Sequence, residues 1–351
     1  MDTTTRTIDP AHGATALVLG AGGSIGAAVA QALAARGWQV RGLARDPGKA
    51  AAAWQGAAGT VRWVAGDAMD AASVSAAAQG AQVIVHAVSP PGYRNWGSLV
   101  LPMIDNTIAA AREVGARVLL PGTVYNFEPS RVPIIREDSP QRPVSPKGLI
   151  RVALEQRLEA AAGDPVRPVP VLIVRAGDYY GPQVRSSWFA QAMITQGRPV
   201  ARLKLLARGV GHGWAYLPDL AQAMVRLLEH PGLRNFERVG FEGFWDADGN
   251  RFPALVAEAL GRSTLPTSRF PWWLMRLAAP FGGFPREALD ILPYWRHAMR
   301  IDNTRLVELL GAEPRTPPVQ SMRTTLSGLG CLAATDPGSG GSVQRRTRSI
   351  T

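Results

Sequence analysis

Gly20-Ala21-Gly22-Gly23-Ser24-Ile25-Gly26 places glycines at 20, 23 and 26, between an apolar run (Ala14 to Gly20) and an Ala-rich stretch with helical spacing (Ser24 to Arg36). The chemistry of that spacing is phosphate binding. Glycine permits the tight turn, lets backbone amides approach a pyrophosphate, and lets a helix pack closely on the preceding strand. The helix N-terminus then offers positive potential to the phosphates. A glycine-rich turn alone says little, but between a first strand and a first helix it marks a dinucleotide site. Gly22, Ser24 and Ile25 complete the expected contact loop.

Which dinucleotide is decided downstream. An NAD site usually carries an acid at the end of the second strand, which accepts from the ribose 2′-hydroxyl. Here Val40-Arg41-Gly42-Leu43-Ala44-Arg45 puts Ala44 at that position, with Arg41 and Arg45 on either side. Arginine matches a 2′-phosphate through its fork, whereas a carboxylate would repel it, so NADP is expected ahead of NAD. The competing reading of Arg45 is a solvated cation. Gly66-Asp67-Ala68 follows the third apolar run, where a carboxylate can accept from an adenine amino group. His86-Ala87-Val88-Ser89 ends the fourth and is expected to run beneath the cofactor. Either segment would also serve as a simple strand-to-loop cap. The five histidines show no ligand-like spacing and Cys331 is the one cysteine, so no metal site is expected.

The elements that hold these residues alternate. Trp38 to Leu43, Val61 to Ala65, Val83 to Val88, Val118 to Leu120 and Val169 to Val174 are short apolar runs, mostly separated by Ala-rich helical segments. That pattern predicts an α/β, doubly wound parallel sheet of the Rossmann type, with helices on both faces and ligands beyond the carboxyl ends of the strands. After Arg175 turn signals multiply and aromatics appear, and Pro218 to Glu229 reads as a helix. Phe270 to Phe284 (FPWWLMRLAAPFGGF) fits the lid or wall of a substrate pocket, the alternative being a helix on a membrane surface. The division expected is a flexible arm over 1–13 and a nucleotide-binding domain over 14–180, completed by about 212–240. A smaller substrate domain over 181–211 and 241–332 and a disordered tail over 333–351 follow.

Composition narrows the class. With 351 residues, 46% of them hydrophobic, the chain can bury a large core, and no repeat or low-complexity tract points to a fibrous or solenoid protein. The net charge of +11 comes almost wholly from scattered arginines, the lysines being Lys49, Lys147 and Lys204. It reads as compositional bias, with a preference for anionic small molecules rather than a nucleic-acid partner. No apolar run reaches the roughly 18–20 residues that cross a bilayer, the first residues lack the order of a signal peptide, and a lone cysteine suits a reducing compartment. A cytoplasmic protein without a membrane partner is expected.

Taken together, the sequence resembles an extended short-chain dehydrogenase/reductase, of the group with nucleotide-sugar epimerases and dehydratases, from Ala14 to Gly330. The resemblance rests on the glycine loop, on Gly66-Asp67, on Glu137-Asp138-Ser139-Pro140, on Arg175-Ala176-Gly177-Asp178-Tyr179-Tyr180-Gly181-Pro182, and on Trp214-Ala215-Tyr216-Leu217-Pro218-Asp219-Leu220. It implies a hydride exchanged with the cofactor and a proton exchanged by a tyrosinate, assisted by a Ser or Thr and by a lysine four residues on. The lysine also holds the nicotinamide ribose. Pairing of subunits through helices beside the sheet, giving a homodimer, is an analogy of the same kind.

The sequence departs from that scheme at its centre. The family's tyrosine segment falls on Pro146-Lys147-Gly148-Leu149-Ile150-Arg151-Val152-Ala153-Leu154-Glu155, so Lys147 stands for the tyrosine and Arg151 for the lysine. The serine segment shortens to Pro121-Gly122-Thr123-Val124-Tyr125-Asn126, leaving Thr123 as the nearest hydroxyl. Arg151 can hold ribose hydroxyls but cannot exchange a proton near neutrality. Lys147 could act as the carrier if desolvation and Arg151 lowered its pKa from about 10.4. Tyr125, Tyr93, Tyr179 and His86 are the alternatives. The expected function is an NAD(P)-dependent oxidoreductase or epimerase/dehydratase-like enzyme acting on a small hydroxyl or carbonyl compound or a sugar nucleotide. The alternative is a non-catalytic NADP(H)-binding regulatory protein.

Overall fold

The alternation of apolar strands with small-residue helices is realised directly in the chain's architecture. The computed structural model describes residues 13–90 and 96–332. The arm up to residue 12, Tyr93 and the tail from 333 lie outside the described residues. In the first third, β1 (Thr15–Leu19), α1 (Ser24–Ala35), β2 (Gln39–Ala44), α2 (Pro47–Ala53), β3 (Val61–Ala65), α3 (Ala71–Ala78), β4 (Val83–His86), α4 (Trp96–Val114) and β5 (Arg117–Gly122) alternate. There follow β6 (Ile134–Ile135), α5 (Pro146–Ala162), β7 (Val171–Ala176), β8 (Asp178–Tyr180), β9 (Leu203–Leu205), β10 (His212–Tyr216), α6 (Leu217–Leu228) and β11 (Phe236–Phe241). The last part holds β12 (Phe244–Asp246), α7 (Arg251–Ala259), β13 (Thr267–Arg269), α8 (Trp272–Ala278), α9 (Gly283–Arg296), β14 (Arg300–Ile301), α10 (Thr304–Leu310) and α11 (Pro318–Gly328).

Among the described residues, seven strands form one parallel sheet in the order β11-β7-β5-β4-β1-β2-β3. Order reverses between β1 and β4, so the crevice at their carboxyl ends is where a ligand belongs in this architecture. β1 and β7 are buried at every position because both sheet faces are covered. One face packs against α1 and α6 through Val29, Leu33, Leu220 and Met224. The other packs against α3, α4 and α5 through Val74, Ile104, Leu154 and Leu158. A third core, built around Phe189, Trp214, Phe252 and Trp295, sits outside the sheet and caps its carboxyl edge.

Most strand boundaries shift by one or two residues from the sequence expectation, and two of the shifts have a physical cause in the chain itself. The run Val83 to Val88 stops as a strand at His86, where the chain lifts over β1 and Ala87 keeps a single bond to Leu19 O (3.0 Å). The run from Val169 begins pairing only at Val171, because Pro170 has no N–H to give the ladder. The last sheet strand, β11, has a charged half that masks its strand character: Glu237 is fully buried against Arg305.

Candidate active site

A cleft of about 1000 Å³ runs along the carboxyl ends of β1, β4, β5 and β7. At its nucleotide end the walls are backbone. Gly20 sits at φ +84°, a conformation open to glycine, and a Cβ there would come within 2.6 Å of the Ala87 carbonyl oxygen. A Cβ on Gly26 would collide with the Gly20 carbonyl, so α1 and β1 touch through these two residues. Gly23 N–H bonds Gly20 O at 2.9 Å and closes the turn. A Cβ on Gly22 would meet nothing within 4 Å, and Gly23, Ser24 and Ile25 line the cleft. An open, amide-rich concavity at a helix N-terminus fits a pyrophosphate.

The residues beyond the loop divide. Ala44 ends β2 and exposed Arg45 follows it. Arg41 is committed elsewhere: its guanidinium donates to the carbonyls of Ala77 (3.2 Å) and Gln79 (2.5 Å), capping the end of α3. It lies mid-strand with its side chain turned to that helix, which corrects its expected place beside the 2′-phosphate. Asp67 folds its carboxylate onto Met69 N–H (2.9 Å), and the Ala68 carbonyl accepts from Asn106 (2.9 Å). His86, Ala87 and Val88 line the cleft together.

His86 is buried, with Nδ1 2.8 Å from Thr107 Oγ1. Thr107 gives its proton to Met103 O (3.0 Å), so the imidazole Nδ1–H is the donor to Thr107. Burial pushes the His86 pKa down to about 3, and the nearby Arg151 cation acts in the same direction. Near neutrality this histidine holds position as a neutral ring.

At the other end of the cleft the walls are side chains. Thr123 and Tyr125 follow β5, with Thr123 Oγ1 accepting from Tyr125 N–H at 3.3 Å. This turn is fixed from below by an ion pair: Arg175 on β7 reaches both carboxylate oxygens of Glu155 on α5 (2.9 and 2.8 Å) and also donates to the Thr123 carbonyl. Asn126 (2.9 Å) and Gln141 (2.6 Å) complete the shell around Glu155. Burial alone would raise the Glu155 carboxyl, but Arg175, Gln141 and Arg238 bring it below its ordinary range.

Arg151 stands on the cleft wall, its guanidinium 4.8 Å from the centre of the Trp96 ring. Lys147, one turn earlier on α5, is buried and is not part of that wall. Its ammonium pairs with Glu287 and lies 3.5 Å from Asp290, both on α9. The structure puts Arg151 of this helix on the cleft wall, and α9 arrives with two carboxylates over Lys147, which the sequence register could not show.

Tyr179 also lines the cleft, and burial raises its hydroxyl pKa despite Arg151. Asp178, read in the sequence only as part of a turn, accepts from His212 Nε2 at 2.8 Å, and the imidazole stacks on Trp295 at 4.0 Å. Ser187, Trp188 and Gln191 close the far side together with Gly283 and Glu287. These come from segments whose meeting no local pattern announces.

The family profile described as NAD dependent epimerase/dehydratase matches residues 16–237. Cinnamoyl-CoA reductase 1 of Oryza sativa subsp. japonica is 36% identical over 126 residues, 33% of this chain and 37% of that protein. A 3-diazoavenalumate denitrifying reductase of a Streptomyces species is 30% identical over 182 residues, 47% of this chain and 56% of that protein. The chain thus spans between about a third and just over half the length of these curated relatives. MoeE5 in complex with UDP-glucose and NAD superposes with a TM-score of 0.67 at 18% identity, covering 90% of this chain and 98% of that one. UDP-glucuronic acid 4-epimerase from Bacillus cereus in complex with NAD gives 0.67 at 17%, covering 90% and 96%. At such identities the likeness speaks for the fold alone.

Proposed function

The chain belongs to the NAD dependent epimerase/dehydratase family, and from that premise we propose that it is an NADP(H)-dependent oxidoreductase acting on a small hydroxyl or carbonyl substrate or on a sugar nucleotide. One observation carries the reading: a single cleft joins the phosphate loop at Gly23 and Ser24 to Thr123, Tyr125 and Arg151. The bound dinucleotide would supply hydride donation or acceptance at its nicotinamide. The loop amides hold the pyrophosphate, and Arg45, with no acid at Ala44, favours a 2′-phosphate. Arg151, fixed over Trp96, is the cation for the ribose hydroxyls. NAD in the structural neighbours and the reductase names of the sequence relatives support cofactor chemistry of this kind.

The proton carrier is the open step. Lys147 is buried and ion-paired with Glu287 and Asp290, His86 is neutral and bonded, and the Tyr179 hydroxyl is pushed up by burial. Of the candidates among the described residues Tyr125 remains: it lines the cleft beside Thr123, and its ring packs edge-on against Tyr294 with centroids 5.1 Å apart. We assign the exchange to the Tyr125 hydroxyl, with Thr123 beside it.

Calorimetry should show NADPH binding tighter than NADH by about 1–3 kcal/mol, with Arg45→Ala removing most of the gap. Equal affinities in the parent would defeat the NADP assignment. In a panel of carbonyl compounds and sugar nucleotides with NADPH, Tyr125→Phe should cut turnover about 10²–10⁴-fold at unchanged cofactor affinity, while Lys147→Met keeps most of the rate. The reverse result returns the role to Lys147. A second reading, a cofactor-binding protein without catalysis, is favoured by the absence of a phenol at position 147, and it requires NADPH binding with no turnover across the panel.

A further inference from the structure

Four large apolar side chains lie bare within nine residues: Trp273 and Leu277 are 65% exposed, Leu274 43% and Phe281 91%. α8 has no buried residue. It is nevertheless held in place, since Trp272 donates through Nε1 to Leu206 O at 2.7 Å and Trp272 and Met275 pack on the third core. The helix is therefore anchored along one side and presents Trp273, Leu274 and Leu277, followed by Phe281, to the outside. The sequence reading placed this stretch in the pocket wall and expected no membrane partner. Of this stretch Gly283 lines the cleft, beside Glu287, while Trp273, Leu274, Leu277 and Phe281 face outward.

In the two segments that carry and adjoin the patch the charge is of one sign, and the Glu287 and Asp290 carboxylates of neighbouring α9 are paired with Lys147. Residues 198–212 and 261–286 contain eight Lys or Arg and no Asp or Glu, against a net charge of +11 for the whole chain. Parallel pairing of β9 with β13 brings the two segments together. Arg202, Lys204, Arg208, Arg269, Arg276 and Arg286 are all exposed. Lys204 and Arg269 alternate to opposite sides of that two-stranded ribbon, while Arg276 lies on α8 itself and Arg286 follows Phe281, so the apolar residues are flanked by cations along the chain.

We propose that this face docks on an anionic membrane surface, with Trp273, Leu274, Leu277 and Phe281 in the headgroup and acyl boundary and the cations on the lipid phosphates. An apolar helix face bordered by Lys and Arg, with Trp and Phe at the boundary, is the pattern of an interfacial helix. At 1.5 Å per residue α8 is about 10 Å long, so it lies on a bilayer and does not cross it. A second copy of the chain is disfavoured because two faces of this charge repel. Nucleic acid would engage the cations but leave Leu274, Leu277 and Phe281 unburied. The docked face adjoins the cleft mouth at Gly283, and the proposal stands independently of the reaction.

The test is co-flotation of the full chain with vesicles of phosphatidylcholine containing 30% phosphatidylglycerol, beside vesicles of phosphatidylcholine alone. Binding is expected to the anionic vesicles only and to weaken in high salt. Arg276→Gln/Arg286→Gln should lower partitioning about 25-fold, at about fivefold per cation. Leu277→Asn/Phe281→Asn should lower it at least about tenfold. These side chains are exposed, so melting temperature and NADPH affinity should match the parent in both variants. Absence of flotation with anionic vesicles overturns the proposal, as does equal flotation of parent and Leu277→Asn/Phe281→Asn. Self-association abolished by Phe281→Asn, without vesicle binding, would reassign the face to a second copy. Single-stranded RNA binding that is indifferent to Leu277→Asn/Phe281→Asn would reassign it to nucleic acid.

Discussion

The two ends of the cleft are made of different material. At the nucleotide end the surface is backbone: positive φ at Gly20, a glycine contact between α1 and β1, and amides at a helix N-terminus. At the far end it is side chains from separate segments, Thr123 and Tyr125 after β5, Arg151 on α5, Asp178 after β7 and Glu287 on α9. The first surface is specified by local geometry and tolerates no Cβ at two positions. The second depends on a buried charge pair beneath it. Backbone can hold a ligand part that is the same in every reaction, while side chains can be exchanged without disturbing the loop.

The widest gap between the two ends should open when the charge pair is broken. Glu155→Gln leaves the Arg175 guanidinium buried without its anion, with Arg238 also deprived of a partner at 3.7 Å. A loss of about 3–5 kcal/mol in urea unfolding is expected. Because Arg175 also holds the Thr123 carbonyl, turnover should fall more than NADPH affinity in whatever fraction stays folded. The Glu155 carboxyl lies below its ordinary range in the folded chain. Its contribution to stability is therefore present above the unfolded carboxylate pKa and fades as acid protonates it. A Glu155→Gln variant as stable as the parent would show that the pair is not the support of this end.

Gly20→Ala attacks the other end. The methyl group adopts an unfavourable φ and meets the Ala87 carbonyl, at a cost of about 2–4 kcal/mol, and NADPH affinity should fall by at least about 100-fold because the loop amides turn away. Gly22→Ala, whose methyl would meet no protein atom within 4 Å, is the control. It should leave the melting temperature unchanged and weaken only the ligand. If both variants melt alike, the loop is less constrained than its geometry indicates.

These two ends were unequally legible in the sequence. The loop was readable because its information is local: three glycines at fixed spacing between a strand and a helix determine the turn and the close packing of α1 on β1. The sheet was readable for the same reason, since each apolar run carries its own signal. Arg41 was misplaced because a strand position does not say which layer its side chain meets, and α3 lies on that side. Arg151 was placed through its register on α5, but Lys147 was not, since its partners come from α9, 140 and 143 residues on. Asp178 and His212 meet only because β10 returns alongside β8.

His86 sits where the two ends join, between Ala87 and Val88 on one side and Arg151 on the other, so it reports to which end the junction belongs. If it is part of the rigid scaffold, it must stay neutral. With its folded pKa pushed to about 3 and an unfolded value of about 6.5, the unfolded chain binds a proton between these values that the folded chain refuses. Stability due to this residue is then complete above about pH 6.5 and declines with acid by about 1.4 kcal/mol per pH unit. His86→Asn keeps a donor for Thr107 Oγ1 but does not titrate in this range. Urea unfolding at pH 6.5, 5.5 and 4.5 should therefore show a steeper decline for the parent than for His86→Asn, with the two lines diverging by that amount per unit. Carboxylates such as Glu155 contribute the same slope to both proteins and cancel in the difference. Parallel lines would mean that the folded chain accepts the proton, in which case His86 belongs with the exchangeable side chains and rejoins Tyr125 as a carrier.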